Sequence, residues 1–167
     1  MNLLVVRHAI AENAADYARL HADDVGRPLT PEGKKKMKQA AQGLRSLLPE
    51  LDLLASSPLT RAVQTAEIVA AAYRIESVVV PVLAPGQLVA DLAGWLERQR
   101  QHGTVAIVGH EPGLSRAVSW FLAGGERSFI ELKKGAACLL EFADEVQAGT
   151  ATLLWAATPS QLRELKD

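Results

Sequence analysis

The sequence predicts an α/β protein of three layers, helix, sheet and helix, around a mostly parallel central sheet. Three observations carry that expectation. Short, branched apolar runs recur along the 167 residues and alternate with stretches of helical period. Apolar residues make up 49% and charged residues 22% of the chain, the balance of a globular protein. No repeat, low-complexity run or Gly/Ser linker divides the chain, so residues 1–167 are read as one domain.

Leu3 to Val6 is a short branched apolar run and predicts a buried parallel strand. Residues 9 to 29 show no period and predict a loop with at most a turn of helix. Thr30-Pro31-Glu32 supplies a capping hydroxyl, a proline at the first helical position and an acid. Met37, Ala40, Ala41, Leu44, Leu47 and Leu48 follow on one face, which predicts a helix over Pro31–Leu48. Lys34, Lys35, Lys36 and Lys38 fall mostly off that face and read as solvated surface.

Leu51 to Ala55 predicts a second strand, and Ser57-Pro58 the start of a second helix that buries Ala62, Ala66, Val69, Ala70 and Tyr73. Val78 to Val80 predicts a strand, and Gly86 to Gln101 a helix with Leu88, Leu92, Trp95 and Leu96 inward. Thr104 to Val108 predicts a strand closed by Gly109-His110. Pro112 opens a helix that ends at Gly124-Gly125. Ala136 to Phe142 and Thr150 to Ala157, joined by a turn, predict an antiparallel pair of strands. A short helix from Ser160 closes the chain, and no insertion is long enough to form a cap.

Composition excludes several classes. The longest apolar run, Ile68–Tyr73, has six residues, whereas a membrane helix needs about 20, so no membrane association is expected. The apolar stretch at the N-terminus is too short for a signal peptide and lacks a basic lead. One cysteine, Cys138, forms no internal disulfide, and it lies in an apolar strand as inert core. A cytoplasmic location is therefore expected. With 18 basic and 19 acidic side chains, the net charge of −1 gives no general draw to nucleic acid. Size and charge suit a monomer.

In open α/β sheets, ligands bind beyond the carboxyl ends of the parallel strands. There the sequence places Arg7 and His8, then Ser56, Ser57 and Arg61, then His110 and Glu111. Each alone has an ordinary structural reading: a hydrogen-bonded histidine, a surface arginine, an acid at a helix start. Together they have a chemical logic. Arginine forks suit a tetrahedral oxyanion such as phosphate. Helix starts at Ser57-Pro58 and Glu111-Pro112 would add backbone N–H groups. A neutral imidazole is a competent nucleophile toward phosphorus.

These residues also carry a family resemblance. Leu4-Val5-Val6-Arg7-His8-Ala9 resembles the Arg-His-Gly signature of the histidine phosphatase superfamily. Ser56 to Ala66 resembles its second motif, and Val108-Gly109-His110-Glu111 its third. The length, the missing cap and Arg27-Pro28-Leu29-Thr30-Pro31-Glu32-Gly33 look most like the SixA-type phosphohistidine phosphatase branch. The resemblance implies a phosphoglycerate mutase-like fold and a phosphatase that needs no cofactor or metal. It implies that His8 attacks phosphorus and becomes a phosphohistidine. Arg7, Arg61 and His110 would hold the phosphoryl oxygens, with Ser57 and Arg27 as further phosphate contacts and Glu111 as a candidate general acid. The expected substrate is a phosphohistidine-containing signalling or phosphotransfer protein, or else a small phosphoester.

Two departures from the family pattern stand out. Ala9 replaces the usual glycine, which would strain the backbone if φ there were positive. Asn13 stands one position before the asparagine site of many mutases, which falls at Ala14. Two other classes compete with a phosphatase: a non-catalytic phosphate-binding module, and a metal hydrolase using His8 and His110. Pure binding needs neither histidine, and the neighbouring arginines repel a cation.

Overall fold

The computed structural model describes residues 1–165. Its centre is a six-stranded sheet of β1 (Asn2–Arg7), β2 (Leu53–Ser56), β3 (Ser77–Val79), β4 (Thr104–Gly109), β5 (Ala137–Phe142) and β6 (Ala151–Ala157), in the order β3-β2-β4-β1-β5-β6. β3, β2, β4 and β1 run parallel to their neighbours. β5 lies antiparallel to β1, and β6 antiparallel to β5, so the hairpin closes one end of the sheet. The helices are α1 (Ala14–Ala18), α2 (Pro31–Leu47), α3 (Thr60–Tyr73), α4 (Val89–Glu97), α5 (Gly113–Ala123) and α6 (Pro159–Glu164).

Strand alternation sorts the core into two halves. Leu3 and Val5 of β1, Val105 and Ile107 of β4 and Cys138 and Leu140 of β5 pack against α4 and α5, around Leu96, Val118 and Phe121. Leu4 and Val6, Ala106 and Val108, and Ala137 and Leu139 face the opposite way. They meet Met37, Ala40 and Leu44 of α2, Ala62, Ala66 and Val69 of α3, and Leu162 of α6. Strands buried on both faces explain the unbroken apolar runs. The fold is the three-layer, phosphoglycerate mutase-like α/β architecture, with no cap subdomain among the described residues.

Element boundaries differ from the sequence expectations at definite points. Leu47, expected on the buried face, is exposed at the last residue of α2. α3 begins at Thr60, not at Ser57-Pro58, since the Ser57 hydroxyl accepts the Leu59 amide in a tight turn first. β2 starts at Leu53, because Asp52 instead accepts the Thr104 amide on its side chain, at 2.7 Å. The helix expected over 86–101 shrinks to α4 and is preceded by a 3₁₀ turn at Pro81–Leu83. Gly86 has φ +85°, which leaves Leu88 outside the helix and 66% exposed. α5 ends as its glycines suggest, with Gly124 left-handed at φ +79°. No helix among the described residues is long and apolar enough to cross a membrane.

Candidate active site

Arg7 of β1 pairs in register with Gly109 of β4, and the next residues are His8 and His110. The two imidazoles lie with ring centroids 5.1 Å apart, both buried. Arg61, on the first turn of α3, is buried beside them. Arg7, His8, Arg27, Arg61, His110 and Glu111 thus line one open depression at the carboxyl edge of the parallel strands.

The backbone around the nucleophile candidate is tightly held. The His8 amide donates to the Gly109 carbonyl at 3.0 Å. His8 Nδ1 lies 2.8 Å from the Ala9 carbonyl oxygen, which can only accept, so Nδ1 carries the proton and Nε2 presents its lone pair. Burial is the main cause that lowers the His8 pKa to about 4, with Arg61 and Arg7 adding to it against the Ala9 hydrogen bond. The ring is therefore neutral and nucleophilic at ordinary pH. Ala9 costs no backbone strain, since Arg74 alone among described non-glycine residues has a positive φ. Alanine is thus compatible with the position that glycine holds in the family pattern.

The next turn of chain is braced by the Arg27–Gly33 stretch. The Thr30 amide donates to the Ile10 carbonyl at 3.0 Å, and the Thr30 hydroxyl caps α2 by accepting the Gly33 amide at 2.9 Å. α2 approaches so closely that a Cβ on Gly33 would stand 2.0 Å from the Ile10 oxygen. The glycine is required by contact rather than by φ.

His110 Nε2 lies 2.8 Å from Ser57 Oγ. Ser57, expected from the sequence as a phosphate contact, is fully buried against His110. His110 Nδ1 is buried and has no partner among the described residues. Burial, then the nearby His8 and Arg61, lower the His110 pKa to about 3. Arg7 donates from Nη1 to the Leu132 carbonyl at 2.6 Å. Its Nε, like that of Arg61, is buried and unpartnered. These orphaned donors are what a tetrahedral oxyanion would satisfy.

Glu111 lines the site, but its carboxylate is engaged. Oε2 accepts the Ser115 amide of α5 at 3.0 Å, and Oε1 accepts the Leu132 amide at 2.9 Å. Both carboxylate oxygens are thus engaged by backbone amides. The helix starts also have other employment than that expected of them. The Thr60 amide donates to the Val25 carbonyl, and the Leu114 amide to that of His110. Asn13 caps α1 by accepting the Ala15 and Asp16 amides.

Among the loop acids Glu12, Asp16, Asp23 and Asp24, which the sequence offers as rivals to Glu111 for a general acid, the structure brings Asp24 to the site arginines. Its Oδ2 is 2.9 Å from Arg61 Nη1, and its Oδ1 is 2.5 Å from Arg27 Nε. The Arg27 hydrogen bond holds the Asp24 carboxyl below its ordinary range despite partial desolvation. Arg27 also donates to the Glu12 carbonyl at 2.7 Å, so it lies at the rim, tied to Asp24. Nothing in the aperiodic 9–29 stretch marks Asp24 out from Asp16 or Asp23. Sequence reasoning missed Thr65. It is fully buried and accepts the Ala9 amide at 3.0 Å.

Comparison with known proteins agrees with this geometry. The chain matches the histidine phosphatase superfamily (branch 1) over residues 3–84. It is 39% identical to an uncharacterized protein of Picosynechococcus sp. over 163 residues, covering 95% of this chain and 96% of that one. The chain belongs to the histidine phosphatase superfamily. It superposes on the protein histidine phosphatase SixA complexed with tungstate with a TM-score of 0.83, at 25% identity over 97% of this chain and 99% of that one. Within the superfamily it stands with the SixA-like branch. The alpha-ribazole phosphatase of Shigella flexneri shares the fold, with a TM-score of 0.73 at 18% identity over 95% and 97% of the two chains.

Proposed function

We propose that this phosphatase works through a phosphohistidine at His8 and removes phosphate from a phosphohistidine borne by another protein. The observation that carries the first half is the His8 Nδ1 contact with the Ala9 carbonyl, which frees Nε2 among Arg7, Arg61 and His110. Nε2 attacks phosphorus in line, the bond from phosphorus to the leaving atom breaks, and the leaving group departs with a proton. Water then attacks phosphorus, the P–Nε2 bond breaks, and inorganic phosphate leaves with His8 restored. Arg7, Arg61 and His110 neutralise the transferring oxygens. No step requires a metal or cofactor. The bound tungstate of SixA is a tetrahedral oxyanion of the kind this donor set suits.

Three features support a phosphoprotein substrate. The site is an open depression with no cap over it among the described residues. Exposed apolar side chains flank it: Val25 lines the depression itself, and Leu88 and Phe129 line adjoining ones that share Glu111. The bonded Glu111 favours a nitrogen leaving group, which solvent can protonate, over an ester that leans on an enzyme acid. Action as a monomer in the cytoplasm, within signalling or phosphotransfer, belongs to the same proposal.

The test mixes a ³²P-labelled phosphohistidine protein with wild type and with His8→Ala, with and without EDTA. Acid-labile label on the wild type alone, with phosphate release indifferent to EDTA, is the expected result. Turnover by His8→Ala refutes the mechanism. Faster turnover of a small phosphoester panel than of the phosphoprotein refutes the substrate assignment.

A further inference from the structure

We infer that Thr65 is a positioning residue that sets the reactive tautomer of His8 through the backbone of Ala9. The inference rests on the phospho-His8 reading. Three hydrogen bonds link α3 to the His8 imidazole through the two peptide units that meet at Ala9. The Thr65 hydroxyl donates to the Arg61 carbonyl at 2.7 Å, one helical turn back along α3. The same oxygen accepts the Ala9 amide at 3.0 Å, across 56 residues of sequence. The Ala9 carbonyl accepts the proton on His8 Nδ1 at 2.8 Å.

The directions in this chain are forced. A carbonyl only accepts and an amide only donates, so the Thr65 hydrogen points to Arg61 and its lone pair to Ala9. Fixing the Ala9 amide fixes the His8–Ala9 peptide plane, and so places the Ala9 Cα from which the next peptide turns its carbonyl back to His8 Nδ1. That carbonyl decides which ring nitrogen keeps the proton. An imidazole protonated at Nε2 has no lone pair aimed at phosphorus. The turn of α3 that carries an oxyanion-binding arginine thus also determines the chemical state of the nucleophile. Thr65, Ala9 and His8 are all buried, so water does not replace a missing link cheaply.

Thr65→Val keeps the shape and removes only the hydroxyl, and Thr65→Ser keeps the hydroxyl and removes only the methyl. Both are compared with wild type by ¹⁵N imidazole NMR and by turnover of phosphoramidate, a small N–P donor. Binding of inorganic phosphate is the control on Arg7 and Arg61. Wild type and Thr65→Ser are expected to hold the His8 proton on Nδ1. Thr65→Val is expected to lose that preference and, with one buried amide left unpaired, roughly 10- to 100-fold in kcat. KM and phosphate affinity should stay within about twofold of wild type.

Wild-type kcat in Thr65→Val overturns the inference. So does a Thr65→Ser variant as impaired as Thr65→Val, which would make the methyl group the cause. Should Thr65→Val fail to fold, an Nε2–H tautomer in wild type overturns the inference by itself. Absence of acid-labile label on wild-type His8 overturns the phosphatase reading instead, and the NMR result separates the two failures.

Discussion

Acidification should unfold this protein through its active site. The two site histidines have ordinary pKa values near 6.5 in an unfolded chain, but about 4 for His8 and about 3 for His110 in the fold. Both shifts come first from burial. Between those values and 6.5 the unfolded state binds more protons than the native state, so stability rises with pH in that window and falls as pH drops through it. At pH 5 each unfolded histidine is protonated and each native one is neutral, which costs about 2 kcal/mol per histidine relative to pH 7.5. The pair together costs about 4 kcal/mol, a large share of the roughly 5–15 kcal/mol that stabilises a typical domain. Asp24, whose carboxyl is held below its ordinary range, loses its contribution only at more acidic pH. Urea unfolding of wild type and His8→Asn at pH 7.5, 6 and 5 measures the effect. Wild type should lose about 4 kcal/mol over this range and His8→Asn about 2. Parallel loss in the two proteins would refute the assignment of buried, neutral histidines. The same depression means that protonation of His8 should leave no acid limb in kcat/KM above about pH 5.

Two further predictions follow from contacts at the site. Gly33→Ala drives a methyl group into the Ile10 carbonyl. Overpacking against backbone outweighs alanine's helix preference, for a net loss of about 2 kcal/mol. Activity falls too, because Ile10 continues the nucleophile loop; an unchanged urea midpoint would contradict the close approach. Asp24→Asn removes a negative charge that now occupies Arg61. Inorganic phosphate should bind about fivefold tighter at low salt, with the gain shrinking as salt rises, in calorimetric titration. Weaker binding would mean that Asp24 orients Arg61 rather than competing for it.

Much of the architecture was legible because its signals are local. Leu3–Val6 and Val105–Val108 are buried on both faces, and Thr30-Pro31-Glu32 carries its own helix start. Arg7, His8, Arg61 and His110 were found because chemistry-bearing residues follow strand ends, where the fold class places ligands. Residues whose partners are distant in sequence were not legible. Thr65 reads as an ordinary helix residue until Ala9 is brought to it. Asp24 is one of four acids in a stretch without period, singled out only when Arg61 is brought to it, and Glu111 shows its partners only with the Leu132 amide beside it. Ser57-Pro58 imitates a helix start, yet its serine turns inward to His110 and the helix begins three residues later, at Thr60.

The register of β1 on β4 has a consequence for how the site tolerates change. Arg7 faces Gly109 across adjacent parallel strands, and each histidine is the residue that follows its strand. Neighbouring strands in any sheet lie about 4.8 Å apart, and the imidazole centroids lie 5.1 Å apart. The spacing of the two rings is inherited from the backbone ladder, a dimension no side-chain substitution can rescale. Drift in loops and helices leaves this gauge intact, whereas a single inserted residue in β1 or β4 would turn one ring to the opposite face of the sheet. Insertion tolerance across Asn2–Arg7 and Thr104–Gly109 should therefore be far lower than across the loop of residues 19–26, although both border the same depression.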